Sequence, residues 1–268
     1  MAKSNIEIST IDDWNGLLFQ INNDYAHWPD YIFRGQRQSD WLLEPTLTRA
    51  LKNIKYKDKE ELISEHLKRF NLEIRGRRGQ NPKRLSDSEL WALGQHYGLH
   101  TPLLDWTQSP YVALFFALTG IEKSKTGYST LWALNSLDIH EINGWYSKKY
   151  KGKQKWIVEL INPELDENER LVNQNGLFTK LNFLNDIETW VEKGPDLGWI
   201  TLSRINISDK VKEEGISFLN LMNINYSTLF PDLFGSSMSS NRRLEQTGYI
   251  LKKQEKANKE AEKHTTKK

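Results

Sequence analysis

The chain has no cysteine, which excludes disulfide staples, thiolate zinc centres and thiol nucleophiles, and leaves the redox compartment open. Glycine and proline are sparse, 16 and 8 among 268 residues, so collagen-like and low-complexity classes are excluded as well. No apolar run approaches the roughly 20 residues of a membrane-spanning helix. The best of them, Tyr111 to Leu118, is far shorter. The opening MAKSNIEIST lacks the apolar middle of a secretion signal, and a cytoplasmic location with no membrane partner is the expectation. Strong charge of either sign is also missing, since the formal net charge is +2. Even that excess is local. Residues 251–268 hold seven Lys and three Glu, so the remainder is slightly acidic, which weakens any case for nucleic-acid binding from overall charge.

What is present is aromatic surface. Ten Trp, ten Tyr and ten Phe in a chain that is 38% hydrophobic can build a sizeable core, which argues against wholesale disorder. Hydrophobic periodicity predicts helices over 11–22 (capped by Thr10), 57–75, about 86–98, 111–118, 210–221 and 237–254. Ser86 and Glu89 supply a start signal for the third, and Pro110 sits at the first-turn position that proline tolerates in the fourth. Short strand patterns fall at 31–33, 130–134, 156–161, 176–179 and 199–205, and 101–106 reads as an extended segment or turn. Helices dominate the first half of this reading and strands the second. The expected fold is therefore α+β, one domain with a mixed or antiparallel sheet, over residues 1–250, followed by a basic solvated tail at 251–268.

Four stretches could carry chemistry. Phe33-Arg34-Gly35-Gln36-Arg37, with Trp41 and Arg49 downstream, puts an Arg at a strand end beside a Gly that permits close approach of a backbone or a ligand, which suits a phosphate or carboxylate fork. The same Arg serves equally as half of a structural ion pair. Gly94 to Thr107 crowds Gln95, His96, His100, Asp105 and Thr107 between two apolar helices, where polar groups need partners. That density fits a ligand site or a buried hydrogen-bond network, and Asp105 fits a helix cap or a partner for Arg34. A metal site is not expected, because Gly98 and Leu99 break the helix between His96 and His100 and no third ligand is spaced to join them. The other two are the polar approach Arg170 to Thr179 and the turn Ser227 to Gly235, the latter reading best as packed structure. P-loop, dinucleotide-fingerprint, metalloprotease and nucleophile-elbow motifs are absent.

Phe33-Arg34-Gly35-Gln36, Gly94-Gln95-His96-Tyr97-Gly98, Leu103 to Pro110 and the Ala113 to Ala117 helix resemble the FRG domain. Gln174 to Thr179 and Leu229 to Gly235 resemble its later stretches, giving a resemblance from about 31 to 246. The resemblance implies a part of a bacterial, phage or mobile-element system, such as phage defence or a toxin. A second resemblance is to ADP-ribosyltransferases that begin on an aromatic-Arg-Gly strand end. It implies that Arg34, Asp105, Thr107 and Gln174 are catalytic and that Arg34, Gly35, Gln36, His96, Tyr97, Trp106 and Phe178 bind NAD as a substrate, with no metal. Arg34 would clamp the diphosphate, Thr107 or Asp105 would orient the ribose, and Tyr97, Trp106 or Phe178 would stack on the nicotinamide. Gln174 stands where such enzymes carry a glutamate, so the charge would come from Asp105 or Asp232. The expectation is an ADP-ribosyltransferase or NAD glycohydrolase. The alternatives are a sensor module that grips a nucleotide or nucleic-acid end, and a nuclease-like toxin using His96 as base, with the protein or nucleic-acid target open.

Overall fold

The computed structural model describes residues 5–120, 124–151, 156–163, 169–182 and 185–265. In chain order its elements are β1 (Ile6–Ile11), α1 (Trp14–Tyr25), β2 (Tyr31–Gln36), α2 (Thr46–Ala50), α3 (Tyr56–Glu73), α4 (Asp87–His96), β3 (Leu103–Thr107) and α5 (Pro110–Leu118). There follow β4 (Tyr128–Asn135), α6 (Asp138–Lys149), β5 (Val158–Ile161), α7 (Glu169–Asn173), β6 (Gly176–Leu181) and α8 (Ile187–Glu192). The chain continues with β7 (Leu202–Ser208), α9 (Lys212–Leu221), α10 (Tyr226–Leu229) and α11 (Leu233–Thr265). The strands form one mixed sheet ordered β1-β7-β4-β2-β3-β6-β5, in which β1 and β7 are parallel and every other neighbour is antiparallel. None of the described helices is long and apolar enough to cross a membrane.

Because successive strand residues face opposite sides, β4 feeds two cores at once. Leu131 and Ala133 join Trp14 and Leu17 of α1, Phe115 of α5 and Ile216 of α9 on one face. Trp132 and Leu134 join Ile142 and Tyr146 of α6 and Trp190 of α8 on the other. A third cluster packs Leu90 and Trp91 of α4 onto Leu103 and Phe178. Most side chains of α5 are buried, which explains why its sequence is apolar on all sides.

Two local signals act as the sequence suggests. Ser86 and Glu89 form a reciprocal capping box at the start of α4, and Ser109 caps α5 with Pro110 in its first turn. The N-terminal expectation is corrected. Ile6–Ile11 is a strand, Thr10 lies in it opposite Asn206, and Asp13 caps the helix by accepting a hydrogen bond from the Gly16 amide at 2.8 Å. The partner that makes β1 a strand is β7, about 200 residues away in sequence, and no local pattern announces it. The expected division into a helical first half and a stranded second half is also replaced by interleaving, with three strands before α5 and helices α6 to α11 after β4. The C-terminal helix runs from Leu233 to Thr265 and takes in the described part of the basic tail.

Candidate functional site

Strand β2 is paired along its whole length with β4, from Tyr31 opposite Asn135 to Gln36 opposite Thr130. With β3 it shares a single register pair, Phe33 and Thr107. Beyond that pair the two strands part, and a guanidinium takes over from strand pairing. Arg34 Nη1 donates to the Asp105 carbonyl at 2.6 Å and lies 3.4 Å from the Asp105 carboxylate. Gly35 has a different task. A Cβ there would stand 1.8 Å from the Ala113 carbonyl oxygen and 2.6 Å from the Ala117 nitrogen, so glycine is what lets β2 lie directly on the backbone of α5.

Asp105 is held from the side of α4. Gln95 Nε2 donates to both its carboxylate oxygens, at 3.2 and 3.1 Å, while the Thr101 hydroxyl donates to Gln95 Oε1 and fixes which way the amide faces. Gly98, at φ +84°, turns the chain out of α4 so that Gln95 and Thr101 meet. The Asp105 side chain keeps 58% of its surface exposed and Arg34 keeps 22%, so both remain open to a ligand.

Arg34, Asp105, Thr107 and Gln174 all line one cavity of about 590 Å³. In two of the four, side-chain polar atoms are engaged with the walls, the Thr107 hydroxyl and the Gln174 amide nitrogen. The Thr107 hydroxyl donates to the Gln174 carbonyl at 2.7 Å and accepts from the Ser109 amide at 3.0 Å. Gln174 Nε2 donates to the Leu229 carbonyl at 3.1 Å. They fasten β3, α7 and α10 to one another. Gln36 is occupied as well, accepting from Trp132 Nε1 at 2.8 Å and donating to the Leu42 carbonyl at 3.1 Å.

Of the aromatic residues expected to stack on a ligand, Trp106 lines this cavity and Phe178 an adjoining one, both with little exposed surface. Trp106 is buried in the core with its Nε1 donating to the Thr179 hydroxyl at 2.9 Å, and Phe178 is buried against Leu103 and Trp91. Tyr97 is 75% exposed and lies outside the larger cavity, its ring edge-on to His96 at 4.7 Å. His96 lines an adjoining space of about 160 Å³ that shares Asp105, Arg170 and Gln174 with the larger one. Burial pushes its pKa down, the charge of Arg170 adds to that, and Asp232 opposes it, which favours the neutral imidazole. Among the described residues no group of three His, Asp or Glu is placed to hold a metal.

The cavity wall also holds Arg37, Trp41, Phe116, Arg170, Phe230 and Phe234, which lie in or beside the stretches singled out in the sequence but had no site role assigned there. Arg170 is the centre of one side. It pairs with Asp232 through Nε at 2.8 Å and through Nη2, and its guanidinium lies over the rings of Phe230 and Phe234 at 5.3 and 5.6 Å. Asp232 also accepts the Gly235 amide, and that bond together with Arg170 holds its carboxyl below the usual range. Gly235 permits the tight turn, since a Cβ there would fall 1.9 Å from the Phe230 carbonyl oxygen. The signal for this wall lay in Arg170 and in the Phe, Asp and Gly spacing of 230–235, which reads as mere packing until the two stretches are seen face to face.

The charged groups lining the cavity are Arg34, Arg37 and Arg170 against Asp105, and with Asp232 paired to Arg170 the balance is one positive charge, so the space favours an anion. Its size is in the usual range for small-molecule sites. No curated protein and no solved structure matches the chain. The later stretches around Gln174 and Phe230 lie outside the segment that does have a family match. That segment, residues 29–126, matches the FRG domain model and contains β2, Gln95, β3 and α5, which build the Arg34 and Asp105 half of this cleft.

Proposed function

We propose that the cleft binds a nucleotide of the NAD class, with Arg34 on its diphosphate. The observation that carries this reading is the combination in one cavity of three guanidiniums, one carboxylate and an aromatic wall of Phe116, Phe230 and Phe234. Guanidiniums match phosphate oxygens and the rings match a base, which together describe a nucleotide better than a sugar or a simple carboxylic acid. The parting of β2 from β3 at Arg34 is in keeping with an ADP-ribosyltransferase-like sheet.

In this reading Asp105 is the residue of the chemistry. The bond between ribose C1′ and the nicotinamide nitrogen breaks, and its electron pair leaves with nicotinamide, neutralising the ring. A water or acceptor hydroxyl adds to C1′, and its proton passes to bulk water. The Asp105 carboxylate, faced by Gln95, offsets the positive charge that develops on the ribose. Thr107 and Gln174 act by holding the walls in place. The chain would thus serve as an ADP-ribosyltransferase or NAD glycohydrolase effector. The occupation of Thr107 and Gln174 favours a second reading as well, a sensor that holds the nucleotide without turning it over.

The test is direct. Purified protein with labelled NAD should show a raised Tm and nicotinamide release, and Asp105→Asn should abolish release while keeping the Tm shift. A Tm shift without release from the wild type selects the sensor reading. Absence of both removes NAD from consideration.

A further inference from the structure

Past β2 the lining of the same cavity gains a further cation, Arg37, and a further aromatic ring, Trp41. Among the described residues the Arg37 guanidinium has no hydrogen-bond or ion-pair partner. Its stem rests on Gly120, where a Cβ would come within 2.7 Å of Arg37 Cδ. Lys212 closes in from α9, donating to the Gly120 carbonyl at 2.9 Å. Arg37 and Arg242 repel that ammonium, and Asp209 and Glu213 attract it. Glu213 is itself paired with Arg242. Arg37 is thus an exposed cation beside another cation, with no acid paired to it among the described residues.

Trp41 lines the same cavity with 48% of its surface exposed, although a tryptophan gains by burial. The turn that carries it is well fixed. The Trp41 amide donates to the Gln38 carbonyl, and buried Gln38 accepts the Lys125 amide at 2.8 Å through Oε1. An exposed ring on a hydrogen-bonded turn and a guanidinium without a partner among the described residues offer a stacking plane and a phosphate fork to one cavity.

We infer that Arg37 and Trp41 form a second subsite that takes the phosphate and base of the adenylate half of the ligand, Arg34 and the Phe230 wall taking the other half. This rests on the nucleotide reading above and deepens it. The cleft selects a dinucleotide because each end carries its own arginine and its own aromatic surface, so a mononucleotide engages only one of them.

Calorimetric titration of NAD, AMP and nicotinamide mononucleotide into wild type, Arg37→Ala, Trp41→Ala and Trp41→Phe tests it. Both residues are exposed, so the variants are expected to keep the wild-type Tm. NAD affinity should fall about tenfold or more in Arg37→Ala and Trp41→Ala, with Trp41→Phe regaining most of the loss. AMP should weaken in parallel, and nicotinamide mononucleotide should be unaffected. If the wild type binds NAD and both alanine variants bind it equally well, the second subsite is wrong and the site at Arg34 stands. Equal weakening of nicotinamide mononucleotide also overturns it, by merging the two ends into one. A wild type that binds none of the three removes the nucleotide reading and the subsite together.

Discussion

The two flanks of β2 are built for different purposes. Toward β4 the ladder is complete, and beneath it Trp132, at 1% exposure, fills the core and donates to Gln36. Toward β3 there is one register pair, and an arginine bridges the widening gap. A strand fastened firmly on one side can be left open on the other without losing its place. The open side is where polar groups with spare valence collect, and the closed side is where stability resides.

Substitutions on the two flanks should separate these roles. The largest effect is expected from Trp132→Ala, which empties a fully buried ring site and leaves the Gln36 amide without its donor. A loss of about 3–5 kcal/mol in urea unfolding is expected. Gly35→Ala follows, at about 3 kcal/mol, because the added methyl meets the α5 backbone, which can yield only by moving the helix. A smaller, pH-dependent effect belongs to Glu188, which accepts the Leu43 amide at 2.7 Å on the Trp132 side. Burial pushes its pKa up to about 7, although the Leu43 hydrogen bond pulls the other way. The folded chain therefore holds this proton to higher pH than the unfolded chain. Its contribution is full below pH 4.5 and is lost as pH rises towards 7. The urea midpoint should decline over that interval in wild type and decline less in Glu188→Gln; identical slopes would remove Glu188 from the account. The smallest stability effect is expected from Arg34→Ala, under about 1 kcal/mol, since its partner carboxylate is largely exposed.

How far the sequence discloses this arrangement depends on where each signal lives. Local signals are legible: the Ser86 capping box, Pro110 in the first turn of α5, and the helix break at Gly98. The gathering of Arg34 with Asp105 is legible too, because polar residues packed between apolar helices must find partners. Pairing across distance is not, and so β1 reads as the lead-in to a helix. Helix α6 also passes unnoticed, since Ile139, Ile142 and Tyr146 are thinly spaced among polar residues and only their burial against Trp190 reveals the stripe. Within the site, residue type does not disclose occupation. Thr107 and Gln174 offer the right residue types for catalysis, and only the fold shows that the Thr107 hydroxyl and the Gln174 amide nitrogen are already bonded. Conversely Arg37 and Arg170 look like ordinary surface charge until the cavity is closed around them.

The most direct test of the open flank is NAD affinity measured by calorimetry on wild type and Arg34→Ala, each with its Tm. The account predicts saturable binding by the wild type and at least tenfold weaker binding by the variant, at an almost unchanged Tm. Equal affinity in the two proteins, or no binding by the wild type, would contradict it.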